Sequence, residues 1–153
     1  MKQAFNVISV NHTSYTVTDM DGTIRFFIEC LGMELELRAP LPPHAMEQLV
    51  SLKEAEVEQA FVKGHGYRIE LLSFKSPADR QLITARSCDT GAVHLGVYVD
   101  NTRAAVAAAA TYGFYPLGEL VAASIPGHSK AIAWVNNADG VTVEFLEPVI
   151  PKN

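Results

Sequence analysis

Cysteine is nearly absent: 153 residues contain only Cys30 and Cys88. They stand far apart and without metal-type spacing, so the expectation is two reduced thiols in a cytoplasmic chain rather than a disulfide or a thiolate site. Basic charge is also scarce. Lys and Arg number 12 against 17 Asp and Glu, a formal charge of −5, and no basic run occurs. Nucleic acid is therefore not an expected partner. Long hydrophobic runs are missing too: Asn, Gly or charged residues interrupt every apolar stretch within about ten residues, too few to span a bilayer. The segment Met1–Asn6 lacks the apolar run and cleavage site of a signal peptide. What remains is a chain that is 48% apolar and 19% charged, suited to an ordinary globular core and, at this length, to one domain over residues 1–153.

Within that length the sequence repeats itself. The segment from His12 to Asp19 and the segment from His94 to Asp100 both read as a His-led strand ending at a helix-capping Asp. The first precedes a helical pattern with Ile24, Phe27, Ile28 and Leu31 on one side, closed by Gly32. The second precedes an alanine-rich helix from Asn101 to Tyr112, closed by Gly113. Strand-like stretches follow at 33–37 and 114–120. Further strands are expected at 60–63 and 67–74 in one half, and at 130–135 and 141–147 in the other, each pair joined by a Gly-containing turn. The expected fold class is therefore α+β, with βαβββ modules at about 6–75 and 91–148. The first half carries an insertion, Ala39 to Glu58, with Pro40, Pro42 and Pro43 before a short helix within 44–53.

Strand alternation sorts the polar residues. His12, Ser14 and Thr16 share a face, as do His94, Gly96 and Tyr98. On the last strands, Val141, Val143 and Phe145 face the helices and leave Thr142, Glu144 and Leu146 opposite. Glu70 shares its face with Arg68 and Leu72. Both His and both Glu thus belong to helix-free faces. If the two sheets curve toward each other, those faces line a cleft, and two imidazoles with two carboxylates suit one divalent metal: Zn, Ni, Co, Mn or Fe.

Val10-Asn-His12, Phe26-Phe27 with Leu31-Gly-Met33, Ile69-Glu-Leu-Leu72, Val93-His94 with Val97-Tyr-Val-Asp100, and Asp139-Gly140 with Val143-Glu-Phe145 together resemble the vicinal oxygen chelate superfamily. That group includes glyoxalase I, methylmalonyl-CoA epimerase, extradiol dioxygenases, fosfomycin-modifying enzymes and bleomycin-binding proteins. The resemblance runs from about Phe5 to Pro148. It implies an eight-stranded open cup, a divalent metal held by His12, Glu70, His94 and Glu144, and modules that pair within one chain or across a dimer, with a homodimer expected. It also implies a small-molecule substrate with a carbonyl or vicinal oxygens. The four-residue set is most similar to that of glyoxalase I. Extradiol dioxygenases use two His and one Glu, the epimerase has Gln in place of Glu70, and the bleomycin-binding branch lacks the ligands.

The resemblance therefore implies a lyase, isomerase or epimerase that moves a proton next to a metal-chelated carbonyl. Glu144 is the expected base, with Glu70 a ligand or second base. Two alternatives stand beside this reading. One is an Fe(II) ring-cleaving dioxygenase using His12, His94 and Glu144; the other is a binding or resistance protein without catalysis. The insertion and the segment 76–80 do not match the glutathione-binding regions of glyoxalase I, which leaves another carbonyl compound as substrate. Arg68, Tyr98, His128 and Lys130 are candidates for touching it. Trp134 reads as an ordinary core aromatic, and His44 and His65 as exposed loop residues.

Overall fold

The computed structural model describes residues 4–42, 44–122 and 129–149. Its strands form two four-stranded mixed sheets of identical topology, ordered β1-β4-β3-β2 and β5-β8-β7-β6. In the first half β1 (Thr13–Thr16) leads into α1 (Met20–Arg25), then β2 (Glu34–Pro40), α2 (Ala45–Val50), β3 (Val57–Gly64) and β4 (Tyr67–Phe74). In the second, β5 (Leu95–Tyr98) leads into α3 (Thr102–Ala110), then β6 (Tyr115–Pro116), β7 (Ser129–Asn136) and β8 (Thr142–Pro148). In each half the first strand runs parallel to the last, and the hairpin partner runs antiparallel to it. This is the α+β arrangement of two βαβββ modules that the repeat predicts. Among the described residues no helix is long and apolar enough to cross a membrane.

The alternation also holds. Ile69 and Leu71 of β4, and Val143 and Phe145 of β8, are fully buried beneath the helices. Ala60 and Val62 of β3 and Ala133 and Val135 of β7 complete the same inward faces. Burial of this continuous apolar surface is the main force holding each sheet to its helix.

Three local features differ from expectation. The helix after β1 does not stay α-helical to Leu31: Phe26–Cys30 is a π-helical turn, with Leu31 N–H bonded back to the Phe26 carbonyl at 3.2 Å. Consecutive Phe26 and Phe27 both point inward from this wider turn. Asp19 caps α1 as expected, accepting from Gly22 N–H, but the cap of α3 is Asn101 rather than Asp100, with its side chain accepting from Ala104 N–H at 3.0 Å. The inserted region is also shorter than the prolines suggest. Ala39 and Pro40 still belong to β2, whose edge position tolerates a residue without an N–H.

The modules are fastened through helices and one turn. Phe26 stacks on Phe114 with ring centroids 3.7 Å apart, and both side chains are essentially inaccessible. Asp139, in the β7–β8 turn, accepts the backbone N–H groups of Thr18 (2.8 Å) and Asp19 (3.2 Å) and the Thr18 hydroxyl. A carboxylate from the second module thus satisfies N–H groups where α1 of the first begins, a place where bare N–H groups favour negative charge.

Candidate metal centre

The repeat places its polar residues in matching rows. Ser14 of β1 lies opposite Glu70 of β4, which lies opposite Phe61 of β3. Gly96 of β5 lies opposite Glu144 of β8, which lies opposite Trp134 of β7. His12 and His94 each sit one residue before the first strand of their module, so each imidazole reaches the neighbouring carboxylate. The His12 Nε2 to Glu70 Oε2 distance is 3.3 Å, and the His94 Nε2 to Glu144 Oε2 distance is 3.4 Å. The carboxylates are 15% and 18% exposed and the imidazoles 32% and 38%, so the two pairs match in environment as well as in spacing.

The His12 ring has a defined orientation. The Arg68 guanidinium donates to Asn11 Oδ1 at 2.8 Å, which identifies that atom as the oxygen. His12 Nδ1 lies 2.7 Å from the same oxygen and must therefore carry the proton. In the neutral ring Nε2 then presents a lone pair toward Glu70. Either a proton on Nε2 or a metal ion between the two atoms satisfies both at 3.3 Å. Ligands about 2.0–2.1 Å from a tetrahedral metal are separated by about 3.3–3.4 Å, so both pairs have the spacing of neighbouring metal ligands. The donor set therefore fits a divalent metal.

The surroundings differ between modules. Phe61 is covered by Arg68, whose guanidinium carbon lies 3.7 Å from the ring centroid, and meets His12 edge-on. Arg68 also pairs with Glu36 at 2.6 Å, and that hydrogen bond holds the Glu36 carboxyl below its ordinary range. In the second module Trp134 donates its indole N–H to Glu144 Oε1 at 2.9 Å, and its ring lies 4.2 Å from that of His94. The sequence reading missed this role. Buried Ala133 and Val135 flank Trp134, so alternation already places the indole on the helix-free face, beside Glu144.

The pairs do not come together within one chain. Among the described residues no three His, Cys, Asp or Glu side chains are placed to hold a single metal. The condition that the two sheets curve toward each other into one cleft is therefore not met within the single chain. The Phe26–Phe114 stack and the Asp139 turn fix the modules through their helices, and the two polar faces stay apart. Of the other candidates, Arg68 borders a cleft of about 650 Å³ that also touches Asn11, His12, Lys63 and Tyr67. Tyr98 is exposed on the helix-free face of β5. Lys130 is not with them: it pairs with Glu147 at 2.7 Å, and Glu147 also accepts from Thr102 N–H at the start of α3. His128 lies outside the described residues. His65 is exposed, as expected, and its Nε2 bonds the Leu31 carbonyl at 2.8 Å, tying the β3–β4 turn to the end of the preceding helix.

Comparison with known proteins follows the same lines. The family model described as "Glyoxalase/Bleomycin resistance protein/Dioxygenase superfamily" matches residues 11–131. The chain belongs to that superfamily. A curated relative, a probable chloroplastic lactoylglutathione lyase of Arabidopsis thaliana, is 30% identical over 141 residues, 89% of this chain and 35% of the relative. The chain thus spans about a third of that protein's length. Among solved structures, a glyoxalase family protein from Bacillus cereus superposes with a TM-score of 0.83 at 22% identity, covering 98% of this chain and 100% of the other. Glyoxalase I from Zea mays gives 0.63 at 21% identity, covering 91% and 44%. The fosfomycin resistance protein FosX from Listeria monocytogenes gives 0.64 at 12% identity, covering 95% and 97%. This vicinal oxygen chelate scaffold hosts more than one chemistry, so the activity has to be argued from the site.

Proposed function

We propose that this superfamily member is a divalent-metal-dependent lyase, isomerase or epimerase that transfers a proton next to a carbonyl. In this reading His12 and Glu70 of one protomer and His94 and Glu144 of a second copy hold one metal between them. The observation that carries the reading is the pair of matched His–Glu contacts at 3.3 and 3.4 Å, with His12 Nδ1 held by the Asn11 side chain. A second copy is the natural completion because each module offers only two donors on an open face. Near His12, Val10 is 84% exposed and Ile8 97%, apolar surface of the kind a partner covers.

When bound, the metal acts as a Lewis acid that draws electron density from two neighbouring oxygens of a substrate and acidifies the adjacent C–H. The chain's own groups do the rest. Glu70 and Glu144 are the carboxylates within reach, one to take the proton from carbon and one of the two to return it. Asn11 holds His12 in its Nδ1–H form, and Arg68 holds Asn11. The like placement of Glu70 and Glu144 favours a four-ligand set over the three-ligand set of a ring-cleaving oxygenase. The lactoylglutathione lyase relative supports a hydroxycarbonyl or thioester-forming substrate class.

The test is solvent-deuterium exchange at carbon, using α-hydroxycarbonyl compounds and glutathione hemithioacetals under anaerobic conditions. EDTA should abolish exchange, and Ni, Co, Mn or Zn should restore it. Oxygen consumption with Fe(II) and a catechol would replace this reading with the oxygenase. Tight small-molecule binding that survives EDTA without exchange would replace it with a binding protein.

A further inference from the structure

One row of the first module is charged where its counterpart in the second is not. Arg68 of β4 lies opposite Lys63 of β3, which lies opposite Glu34 of β2. The equivalent residues are Thr142, Asn136 and Tyr115. Arg68 is two residues from Glu70, so the charged row shares the helix-free face. With Asn11 and His12 it lines the cleft of about 650 Å³. Arg68 is held there firmly. Its guanidinium carbon lies 3.7 Å from the Phe61 ring centroid, its Nε donates to Glu36 at 2.6 Å and its Nη1 to Asn11 Oδ1 at 2.8 Å. Its Nη2 has no acceptor among the described residues. Asn11 Oδ1 serves both Arg68 and His12, which leaves the Asn11 amide nitrogen as a further donor. Glu36 is also 3.7 Å from Lys63, but it does not line the cleft. The lining thus sets two cations and an amide against one carboxylate, Glu34. That is a local excess of one positive charge in a chain whose net charge is −5.

We propose that this cleft is a carboxylate subsite, in which Arg68 and Lys63 select a substrate that is a compact carbonyl acid with one free carboxylate. The acid end sits at Arg68 and Lys63, and the carbonyl end reaches the His12–Glu70 contact. The assignment of a substrate rests on the proposed function above; the recognition of charge belongs to the protein alone and needs no metal. One excess positive charge matches a monoanion, whereas a phosphate ester carries nearly two negative charges at neutral pH. Strand geometry limits the length of the ligand. Residues two apart on a strand are separated by about 7 Å, the span of a chain of about five carbons. Arg68 leans over Phe61, the cross-strand partner of Glu70, so the gap is no longer than that.

The experiment has a metal-free arm and a metal-loaded arm. In the first, levulinate and its uncharged methyl ester are titrated into metal-free wild type, R68M, K63M and E34Q, with binding followed by amide chemical shifts. Levulinate should bind wild type at least about tenfold more tightly than the ester does, and added salt should narrow that difference. R68M should lose about tenfold in levulinate affinity, and K63M, whose side chain is more exposed, about threefold. E34Q removes the opposing charge and should gain about twofold to threefold, a gain that a purely structural ion-pair cluster does not produce. In the second arm, deuterium exchange is compared for δ-hydroxylevulinate and its methyl ester with metal-loaded protein. The ratio of their kcat/KM values should fall about tenfold in R68M. Disturbance of Asn11 and His12 affects both compounds alike and cancels in that ratio.

Equal affinity of metal-free wild type for levulinate and its ester would overturn the subsite and leave the metal reading standing. Levulinate selectivity without metal binding or exchange would support the subsite and sink the proposed function instead. Tighter binding of inorganic phosphate than of levulinate would overturn the carboxylate assignment. Should R68M not fold, K63M and E34Q still decide, since both replace exposed side chains. A loss in the first with a gain in the second supports the subsite, and no change in either refutes it.

Discussion

A metal held across two copies makes a quantitative prediction for mixed chains. Consider H12Q/E70Q, which destroys the donors of the first module, and H94Q/E144Q, which destroys those of the second. Each chain alone retains one pair, since the pairs sit on separate faces and do not converge within a chain. A homodimer of either variant then has only half-empty sites, with two protein donors missing from each. Random mixing makes half of the dimers mixed. In a mixed dimer one site combines both damaged modules and the other combines both intact ones, so about one quarter of all sites regain the full donor set. Co-expressing or co-refolding the variants and measuring tightly bound Zn or Co per chain after gel filtration against a weak chelator checks this directly. The expected result is close to zero for each variant alone, about one per chain for wild type and about a quarter for the mixture. A mixture that holds no more metal than its parents, while light scattering shows that mixed dimers have formed, would refute the shared site.

Three further outcomes follow from the packing and the ion pairs. Asp139→Ala removes the acceptor for Thr18 and Asp19 N–H and should cost about 1–3 kcal/mol in urea unfolding. Phe114→Ala opens a void against Phe26 in the shared core and should cost about 3–5 kcal/mol by the same measurement. The third concerns pH. Arg38, hydrogen-bonded to Glu58 at 2.9 Å, holds that carboxyl below its ordinary range. The native state therefore releases the proton more readily than the unfolded chain does. The stabilisation is complete above the ordinary carboxylate range and disappears as pH falls through the depressed native value. Arg38→Met should flatten that acid-side loss in urea midpoints measured at successive pH values.

The repeat and the alternation made much of the architecture legible. The expected strand 67–74 matches β4 residue for residue, and the helix-facing sets on β4 and β8 are buried as alternation requires. Both depend on local periodicity, which a single sequence carries. The relative placement of the modules was not legible, because it rests on contacts between residues far apart in the chain, Phe26 with Phe114 and Asp139 with Thr18. The π-helical turn was not legible either, because two adjacent buried phenylalanines suit an α-helical face as well as a π-helical one. Trp134 is a different case. Its face was readable from its neighbours, but its position opposite Glu144 depends on how the 136–140 turn sets the hairpin register.

The Asp139 contact has a consequence for the order in which the molecule comes into being. Synthesis delivers Thr18 and Asp19 about 120 residues before the carboxylate that satisfies them. Until the last hairpin emerges, the Thr18 and Asp19 N–H groups before α1 lack their carboxylate, and until Phe114 emerges Phe26 lacks its stacking partner. The N-terminal module, although it contains every strand of its own sheet, therefore waits for the C-terminal one. Duplication has produced halves that look self-sufficient in outline while the first is finished only by the end of the second.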